Sequence, residues 1–441
     1  MTVKELLILL CLLFFALISR LWRLAEPAVM YFDEPYHLSA AKLLSTGDWR
    51  TPFQVPLHSS SEATLAIYDW LHPPLAKYLQ AISIHYLGLN AWAWRLPSVI
   101  LAILTLIVFY FLVRFLASHF FLNAQKKARP AKQASILALI ATFFLSLNGL
   151  FLVQSRIAMN DVFVLFFVLL AILFYLNYLL RYSLVSLFAV GLSFGLALAS
   201  KWSAFWLLLF LLSQELWSLK KLRQLPFVIF ALVLTPAMIY LLLYLPMFIQ
   251  GQNLADFYFL QKNMLASQLS NPATHLYSSG PLSWALNLRP VWYFVEAKLP
   301  EQTWVANIYA LDNPLLTIYF FFGLLYLFYR GKRQQLSAKS KQTVAFLLAL
   351  YGVSFLPWLF FSRIMFIYHY LLALPFITIL LAYACLDFCQ QIKDRARRRA
   401  LLFNLLFWPL FSFILFYPHW TAWPVPATWA QDVYFYLAFW R

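Results

Sequence analysis

The chain has 441 residues, of which 63% are hydrophobic and only 11% are charged, and its mean hydropathy is +0.74. This composition excludes a soluble globular protein and predicts an integral membrane protein that crosses the bilayer many times. The formal net charge of +17 does not indicate a nucleic-acid-binding protein, because the basic residues fall between apolar segments, where they orient membrane helices.

About eleven apolar segments meet or approach the roughly 20 residues that a helix needs to cross a bilayer core of about 30 Å. No small-residue cleavage site follows the first segment, which is therefore predicted to be a retained helix rather than a signal peptide. The predicted fold is an all-α polytopic membrane protein with a single domain covering residues 1–441. Its helices are expected at about 5–22, 96–116, 134–152, 158–180, 184–200, 202–219, 225–249, 313–329, 343–361, 364–388 and 401–417.

Two long polar regions, at about 24–95 and 250–312, interrupt the apolar segments. The first is too polar to cross a membrane, and its periodic stretches at about 35–46 and 74–87 predict interfacial helices. With a cytoplasmic N-terminus, eleven helices place the basic loop clusters on the cytoplasmic side, as the positive-inside rule requires. Both long regions, and with them most acidic residues, then lie on the external face, where we expect the chemistry.

The stretch from Tyr31 to His37 places two carboxylates and an imidazole just beyond the first apolar segment. Carboxylates at the border of the hydrocarbon are costly unless they pair or take part in chemistry. Asp33 and Glu34 are therefore candidates for a general base that acts on a hydroxyl acceptor, the alternative being an ordinary acidic loop. His37 with His72 could form a metal site, but their spacing matches no specific ligand pattern.

A second stretch runs from Trp70 to Lys77 and contains the sequence His-Pro-Pro-Leu. Its two prolines fix an extended backbone and suit the first turn of a helix, so His72 and Lys77 are predicted to be held firmly at the membrane surface. The alternative is an interfacial helix start with a snorkelling lysine.

Five cations lie at or near predicted external helix ends, outside the cytoplasmic clusters. Single cations of this kind are commonly membrane anchors, whereas several that face external carboxylates would form a pocket for an anionic head group, because guanidinium binds phosphate in a bidentate manner. Asp161 stands at a helix entrance, and an Arg–Asp pair is its simplest explanation. The five cations are Arg95, Arg156, Lys201, Arg289 and Arg363.

The sequence lacks the motifs that are usual in several other classes of protein. There is no Walker loop and no dinucleotide fingerprint, so a nucleotide-driven transporter is not indicated. No convincing internal repeat supports a secondary transporter built from two halves. The three cysteines have apolar neighbours and indicate neither a disulfide framework nor a zinc cluster.

In this order, the motifs resemble those of the protein O-mannosyltransferase family, dolichyl-phosphate-mannose-dependent enzymes of the glycosyltransferase C superfamily. The agreement is colinear over most of the chain, which is more specific than any single motif. The region at about 250–312 is too short for the β-trefoil domain that eukaryotic members insert there, so the chain resembles the bacterial branch. The matching stretches are Phe32-Asp33-Glu34 with His37, His72-Pro73-Pro74-Leu75 with Lys77, Ser155-Arg156 through Asp161, Ala199-Ser200-Lys201-Trp202, His275 through Trp292, and Phe361 through Phe366 with Tyr368-His369-Tyr370-Leu371.

The resemblance implies a glycosyltransferase C-type fold in the bacterial cytoplasmic membrane, with the active site on the external face. It implies transfer of a sugar, mannose in the family, from a polyprenyl-phosphate carrier to protein Ser or Thr hydroxyls by an inverting single displacement. Asp33 is then the general base, and Glu34 lies beside the acceptor. The donor phosphate is expected among Arg95, Lys201, Arg289 and Arg363, and the supporting residues are His37, His72, Lys77, Arg156, Asp161, His369 and Tyr370.

Two alternatives stay open at this point. A transferase of the same superfamily that acts on a lipid or glycan, such as those that add aminoarabinose to lipid A, also uses acidic first-loop motifs. The His-Pro-Pro-Leu motif and the stretch from His275 to Trp292 favour the protein-directed family instead. A lipid or sugar transporter is the alternative of another class. The sequence gives no firm indication of a cofactor or a metal ion, and it does not indicate a nucleic-acid partner.

Overall fold

The computed structural model describes residues 2–54, 69–121, 130–218, 224–271, 274–296, 303–437 and 440. Within these ranges seven helices are long and apolar enough to cross a membrane, and two shorter apolar helices, Ala131–Ser146 and Leu184–Leu198, accompany them. The predicted class, an all-α polytopic membrane protein, is thereby confirmed, and the count of eleven spans stays a prediction. The seven helices are Ala91–Phe121, Asp161–Arg181, Leu225–Leu242, Pro314–Lys332, Ala338–Phe360, Leu374–Gln391 and Arg395–Thr421.

Helices are numbered α1–α19 and strands β1–β5 in chain order. The first twelve helices are α1 (Val3–Leu21), α2 (Glu34–Ser45), α3 (Leu75–Leu87), α4 (Ala91–Leu116), α5 (Pro130–Ser146), α6 (Gly149–Gln154), α7 (Asp161–Arg181), α8 (Leu184–Leu198), α9 (Phe205–Ser218), α10 (Leu225–Ile229), α11 (Thr235–Leu242) and α12 (Leu245–Ile249). The remaining helices are α13 (Leu254–Leu269), α14 (Pro281–Ala285), α15 (Pro314–Lys332), α16 (Ala338–Phe355), α17 (Leu374–Gln391), α18 (Arg395–Thr421) and α19 (Ala427–Trp429). The strands are β1 (Ser270–Asn271), β2 (Val291–Glu296), β3 (Trp304–Ala310), β4 (Ser362–Arg363) and β5 (Val425–Pro426).

Helix starts follow local sequence signals. Thr2 and Glu5 form a reciprocal capping box at α1, and Asn90 accepts from the Ala93 N–H at 3.0 Å at the start of α4. The helix predicted at about 225–249 is instead divided, with a π-helical turn between α10 and α11 and a break before α12. Each piece has a proline in its first turn, where a missing N–H costs nothing, whereas a proline inside a helix disrupts it.

The core of the bundle surrounds α17, which is buried around almost its whole circumference. It packs against α5, α15 and α16, and α4 packs against α5 and α7. By contrast α11, α15 and α18 turn large apolar side chains outward. Helices that are apolar on their outer faces as well as their inner ones suit a surrounding lipid phase.

One end of the bundle carries α2 and α3, which occupy the positions of the two predicted interfacial helices and pack against each other. The Asp69 N–H donates to the Tyr36 carbonyl at 3.0 Å, and the Leu75 N–H donates to the Ala199 carbonyl at 3.0 Å. The first bond joins α2 to the segment before α3, and the second joins the start of α3 to the loop between α8 and α9. Residues distant in the sequence therefore meet at this end.

Two stretches differ from the prediction. The second polar region contains β2 and β3, which form an antiparallel sheet with β5, because its run of Val, Trp, Tyr and Phe residues favours a pleated, half-buried strand. Residues 364–373, predicted as helix, instead follow β4 and include a 3₁₀ turn, Ile367–Leu372, before α17 begins next to Pro375. Two of the basic loop clusters are affected by the limits of the described residues: the cluster at 125–132 lies partly outside them and the cluster at 220–223 lies wholly outside them.

Candidate active site

Asp33 stands at the start of α2, in a loop that aromatic packing holds in place. Phe32, the residue before it, has a left-handed backbone (φ 53°), and its ring stacks on Tyr293 with a centroid distance of 4.0 Å. Phe366 and Tyr368 contact the same ring edge-on. This packing compensates the cost of the backbone conformation and fixes where the Asp33 carboxylate lies.

Glu34, by contrast, is fully buried in an ion pair with Arg95. The Arg95 Nε and Nη2 donate to Glu34 Oε1 and Oε2, each at 2.9 Å. The Glu34 carboxylate also accepts from the backbone N–H groups of Ala158 at 3.1 Å and Tyr31 at 3.3 Å. Its oxygens are therefore occupied inside the protein, which contradicts the predicted place of Glu34 beside the acceptor.

The predicted contact between Arg95 and the donor phosphate is also contradicted. Besides the two bonds to Glu34, Arg95 donates to the carbonyls of Leu24, Pro27 and Val29 at 2.8–3.0 Å. A guanidinium has five N–H donors, so none is left for a phosphate. Arg95 instead fastens the segment between α1 and α2 to α4.

Arg156 and Asp161 do not pair with each other. Arg156 is buried and donates to the carbonyls of Arg20, Trp22 and Arg23 at 2.6–3.0 Å, so it satisfies backbone acceptors at the end of α1. Asp161 instead pairs with Lys201, with 2.7 Å between Oδ1 and Nζ. The expected Arg–Asp pair is thus replaced by an ion pair between the start of α7 and the loop before α9.

A compact polar cluster connects α2 with the His-Pro-Pro-Leu stretch. His37 Nδ1 lies 2.8 Å from Asp69 Oδ2, and the His37 ring stacks on His72 with 5.6 Å between centroids. Lys77 lies 3.4 Å from the same Asp69 oxygen and donates to the His72 carbonyl at 2.6 Å. The structure thus brings together His37, His72 and Lys77, and adds Asp69, which sequence reasoning missed although it stands only three residues before His72.

This cluster has the composition of a metal site, since ligand atoms of His37, Asp69 and His72 lie within 4.8 Å of one another. Two imidazoles and a carboxylate suit several divalent metals. The Lys77 ammonium already places a positive charge against the Asp69 carboxylate, however. Burial alone would raise the pKa of Asp69, but the positive charge of Lys77 holds it well below its usual range. Burial lowers the pKa of His72 to about 3, so that ring is neutral.

The Asp33 carboxylate makes no hydrogen bond or ion pair with any residue in the described part of the chain. Burial raises its pKa above the usual range; the charges of His37 and Lys201 oppose this rise, and those of Asp161 and Asp69 add to it. Asp33 and Glu34 are adjacent in the sequence but have different surroundings. The Asp33 carboxylate has no partner among the described residues, whereas Glu34 is half of a buried ion pair.

An apolar groove of about 810 Å³ runs along α9 and α11 and reaches this site. Lys201 and His72 line it, and Trp202, Trp206, Trp358 and Phe361 add aromatic walls. Lys201 also lies 5.0 Å from the centre of the Tyr368 ring. An apolar groove of this volume with a lysine in its lining has the chemistry of a site for a lipid with an anionic head group.

The remaining predicted residues are distributed around the groove rather than gathered at one point. Arg363 lies at its edge, where it donates to the side-chain carbonyl of Gln268, a residue that lines the groove. Arg289 lies further away and donates to the Leu276 carbonyl at 3.0 Å. His369 is buried between Trp284 and Trp358, and burial holds the pKa of His369 well below its usual range.

Tyr370 is buried in the hydrophobic core. Its hydroxyl bonds to the Tyr351 hydroxyl at 2.7 Å, and its ring is buried against Phe355. These contacts place it in the core between the 3₁₀ turn and α16, so it supports the site through packing.

The sequence matches two protein-family models. The family model described as dolichyl-phosphate-mannose-protein mannosyltransferase matches residues 10–250, and the model described as the C-terminal four-TMM region of protein-O-mannosyltransferase matches residues 253–434. A polyprenol-phosphate-mannose–protein mannosyltransferase of Corynebacterium glutamicum is 23% identical, over 84% of this chain and 80% of its own length.

Solved structures share the fold. The Saccharomyces cerevisiae Pmt1-Pmt2 complex bound to the sugar donor aligns with a TM-score of 0.75 at 15% identity, covering 98% of this chain and 92% of the other. ArnT from Cupriavidus metallidurans bound to undecaprenyl phosphate aligns with a TM-score of 0.55 at 13% identity, covering 94% and 70%. Because the two family models together match nearly the whole sequence, the chain belongs to the dolichyl-phosphate-mannose-protein mannosyltransferase family.

Proposed function

We propose that this chain transfers mannose from a polyprenyl-phosphate carrier to Ser or Thr hydroxyls of proteins. The observation that carries the proposal is the position of Asp33, a carboxylate without a partner among the described residues, near Lys201 in the lining of the apolar groove. Membership of the family, and the donor and acceptor named for the Corynebacterium glutamicum relative, support the same chemistry.

In this proposal Asp33 is the general base. Its carboxylate takes the proton of the acceptor hydroxyl while the hydroxyl oxygen bonds to the anomeric carbon of the donor. The bond from that carbon to the lipid phosphate breaks, the electron pair stays with the phosphate, and a single displacement inverts the configuration. The free carboxylate suits this role, since no described partner holds its lone pairs.

The charge that grows on the leaving phosphate is offset by two cations. Lys201 lines the groove beside Asp33, and Arg363 lies at the groove's edge, bound to Gln268. Fixed positive charges at the point where negative charge develops are an effective means of lowering a reaction barrier. We assign Glu34 and Arg95 to positioning, because their ion pair holds the loop that carries Asp33.

The orientation is proposed from charge. Helices α4 and α7 each begin beside the site, with Arg95 and Asp161 near their N-terminal ends, and each has a basic residue, Arg114 or Arg181, in its last turn. By the positive-inside rule those basic ends face the cytoplasm. We therefore place the active site on the external face of the bacterial cytoplasmic membrane and the N-terminus in the cytoplasm.

The test is reconstitution of the purified protein with polyprenyl-phosphate mannose and a Ser/Thr peptide, with products identified by mass and by anomeric configuration. Peptide-dependent release of free lipid phosphate and an inverted mannosyl peptide are expected. A second candidate, transfer to a lipid or glycan, is favoured by the shared fold with ArnT. Product formation with such an acceptor, and none with peptides, would decide for that candidate.

A further inference from the structure

A second cavity lies next to the apolar groove, on the other side of the segment 361–365. Phe361 lines the apolar groove, whereas the next four residues, 362–365, line an open cleft of about 880 Å³. The opposite wall of this cleft is formed by residues 274–280. One short stretch of chain therefore separates the apolar groove from a cleft of mixed lining, in which Ser, Thr, His and Arg side chains alternate with apolar ones.

The two walls of the cleft are joined through their backbones. The Ser279 N–H donates to the Met365 carbonyl at 2.9 Å, and β1 pairs in parallel with β4 just beyond. Ser278, Ser279 and Gly280 provide small side chains along one wall. Among the described residues that line the cleft, Arg363 is the one with a permanent charge.

The cleft lies next to Asp33. The His275 ring, in one wall of the cleft, is 5.2 Å from the ring of Phe366, and Phe366 is 5.8 Å from the ring of Phe32. Phe32 immediately precedes Asp33, and the charge of Asp33 also acts on Arg363. Asp33 is thus adjacent both to the apolar groove, through Lys201 and His72, and to the cleft, through Phe32 and Arg363.

We propose that this cleft, with walls at 274–280 and 362–365, binds the acceptor as an extended polypeptide segment whose Ser or Thr hydroxyl reaches Asp33. The inference rests on the proposed function and adds where the acceptor binds. Small polar walls leave room for a peptide backbone and offer it hydrogen-bonding groups. An acceptor with several phosphates would need several cations, whereas Arg363 is the one permanently charged residue among the described residues that line the cleft, and it is already bound to Gln268.

Two glycines allow a matched test. A Cβ added at Gly280, in the cleft wall, meets no atom within 4 Å. The same holds for Gly331, which lies in the last turn of α15 and does not line the cleft. Gly280 has an ordinary extended backbone, which any residue adopts. We expect Gly280→Trp to raise KM for a Ser/Thr peptide at least tenfold and to leave the affinity for radiolabelled polyprenyl-phosphate mannose within twofold of the parent. Gly331→Trp should match the parent in both measurements.

A second measurement uses an acceptor peptide with a benzophenone side chain two residues from its Ser. The cross-links should map by mass spectrometry to residues 274–280 or 362–365. Parent-like KM in Gly280→Trp, an equal loss of donor affinity, or cross-links elsewhere would overturn the inference while leaving the proposed function intact. If the parent protein mannosylates no peptide at all, the proposed function itself fails.

Discussion

Arg95 donates to both carboxylate oxygens of Glu34, with 2.9 Å between Nε and Oε1 and between Nη2 and Oε2. The pair joins the start of α2 to α4 in a position without solvent exposure. Its consequence concerns the neighbouring residue, because the same helix start carries Asp33, whose carboxylate has no partner among the described residues. The ion pair holds the loop, and the Asp33 carboxylate is the group that we propose as the base.

We expect Glu34→Ala to lower the free energy of unfolding by about 3–5 kcal/mol, because it leaves the Arg95 guanidinium buried without its counter-charge. Thermal or denaturant unfolding of the protein in detergent measures this. The double variant Glu34→Gln with Arg95→Met should lose less stability than the sum of the two single variants. If Arg95→Met instead kept full stability and lost only donor affinity, Arg95 would be a phosphate ligand after all.

Asp33→Asn should show the opposite pattern. The carboxylate makes no described hydrogen bond or ion pair, so the melting temperature should stay within a few degrees of the parent, while the transfer rate falls by about 10²–10⁴-fold, the range for loss of a general base. Asp432→Asn is the matched control, since that carboxylate is exposed near the C-terminus and should tolerate the change. Transfer by Asp33→Asn at more than a few percent of the parent rate would remove Asp33 from its proposed role.

The pH dependence of the transfer should reflect the raised pKa of Asp33. A general base works in its deprotonated form, so kcat/KM should fall as the pH is lowered through that pKa, with a midpoint above the usual value of about 4 for an aspartate. Lys201→Met removes a positive charge that lowers this pKa, so the midpoint should move to higher pH. A midpoint that moved down, or stayed in place, would mean that another group controls the profile.

The position of Lys77 bears on whether His37, Asp69 and His72 bind a metal ion. Because its ammonium lies 3.4 Å from Asp69, we expect EDTA to leave transfer by the parent protein unchanged. Lys77→Met should reduce activity and destabilise the fold, because it leaves Asp69 buried without its lysine. Inactivation by EDTA with recovery on adding a divalent metal would show that the His37–Asp69–His72 group binds a metal ion.

The sequence predicted the parts of the fold that depend on apolar length and period. Helices α2 and α3 lie where their periodicity and prolines indicated, and the structure brings together the Phe32 to His37 and His72 to Lys77 stretches. The strands β2 and β3 were not predicted, because their pairing partners lie in other segments and a polar region gives no helical or alternating pattern strong enough to reveal them.

Partners of charged residues were the least predictable feature. Asp161 pairs with Lys201, 40 residues away, rather than with Arg156, and Arg95 pairs with Glu34, 61 residues away. Nothing in the spacing distinguishes Lys201, which lines the apolar groove while it is paired with Asp161, from Arg95, whose N–H donors are all used inside the protein, since both stand near a helix end. Only the packing of α2, α4 and α7 decides which cation is free to meet a phosphate.

The apolar groove gives a last prediction, about the length of the lipid. Ala237 lines the groove on α11 and is exposed there, so Ala237→Trp would place an indole where the prenyl chain is proposed to lie. We expect KM for a long-chain polyprenyl-phosphate mannose to rise about tenfold, and KM for a water-soluble short-chain donor to change less than twofold, because the short chain does not reach α11. Ala400→Trp is the control, an exposed alanine of α18 outside the groove, and it should behave as the parent with both donors. Equal effects of Ala237→Trp on both donors would show that the chain lies elsewhere, since a blocked chain site must discriminate by length.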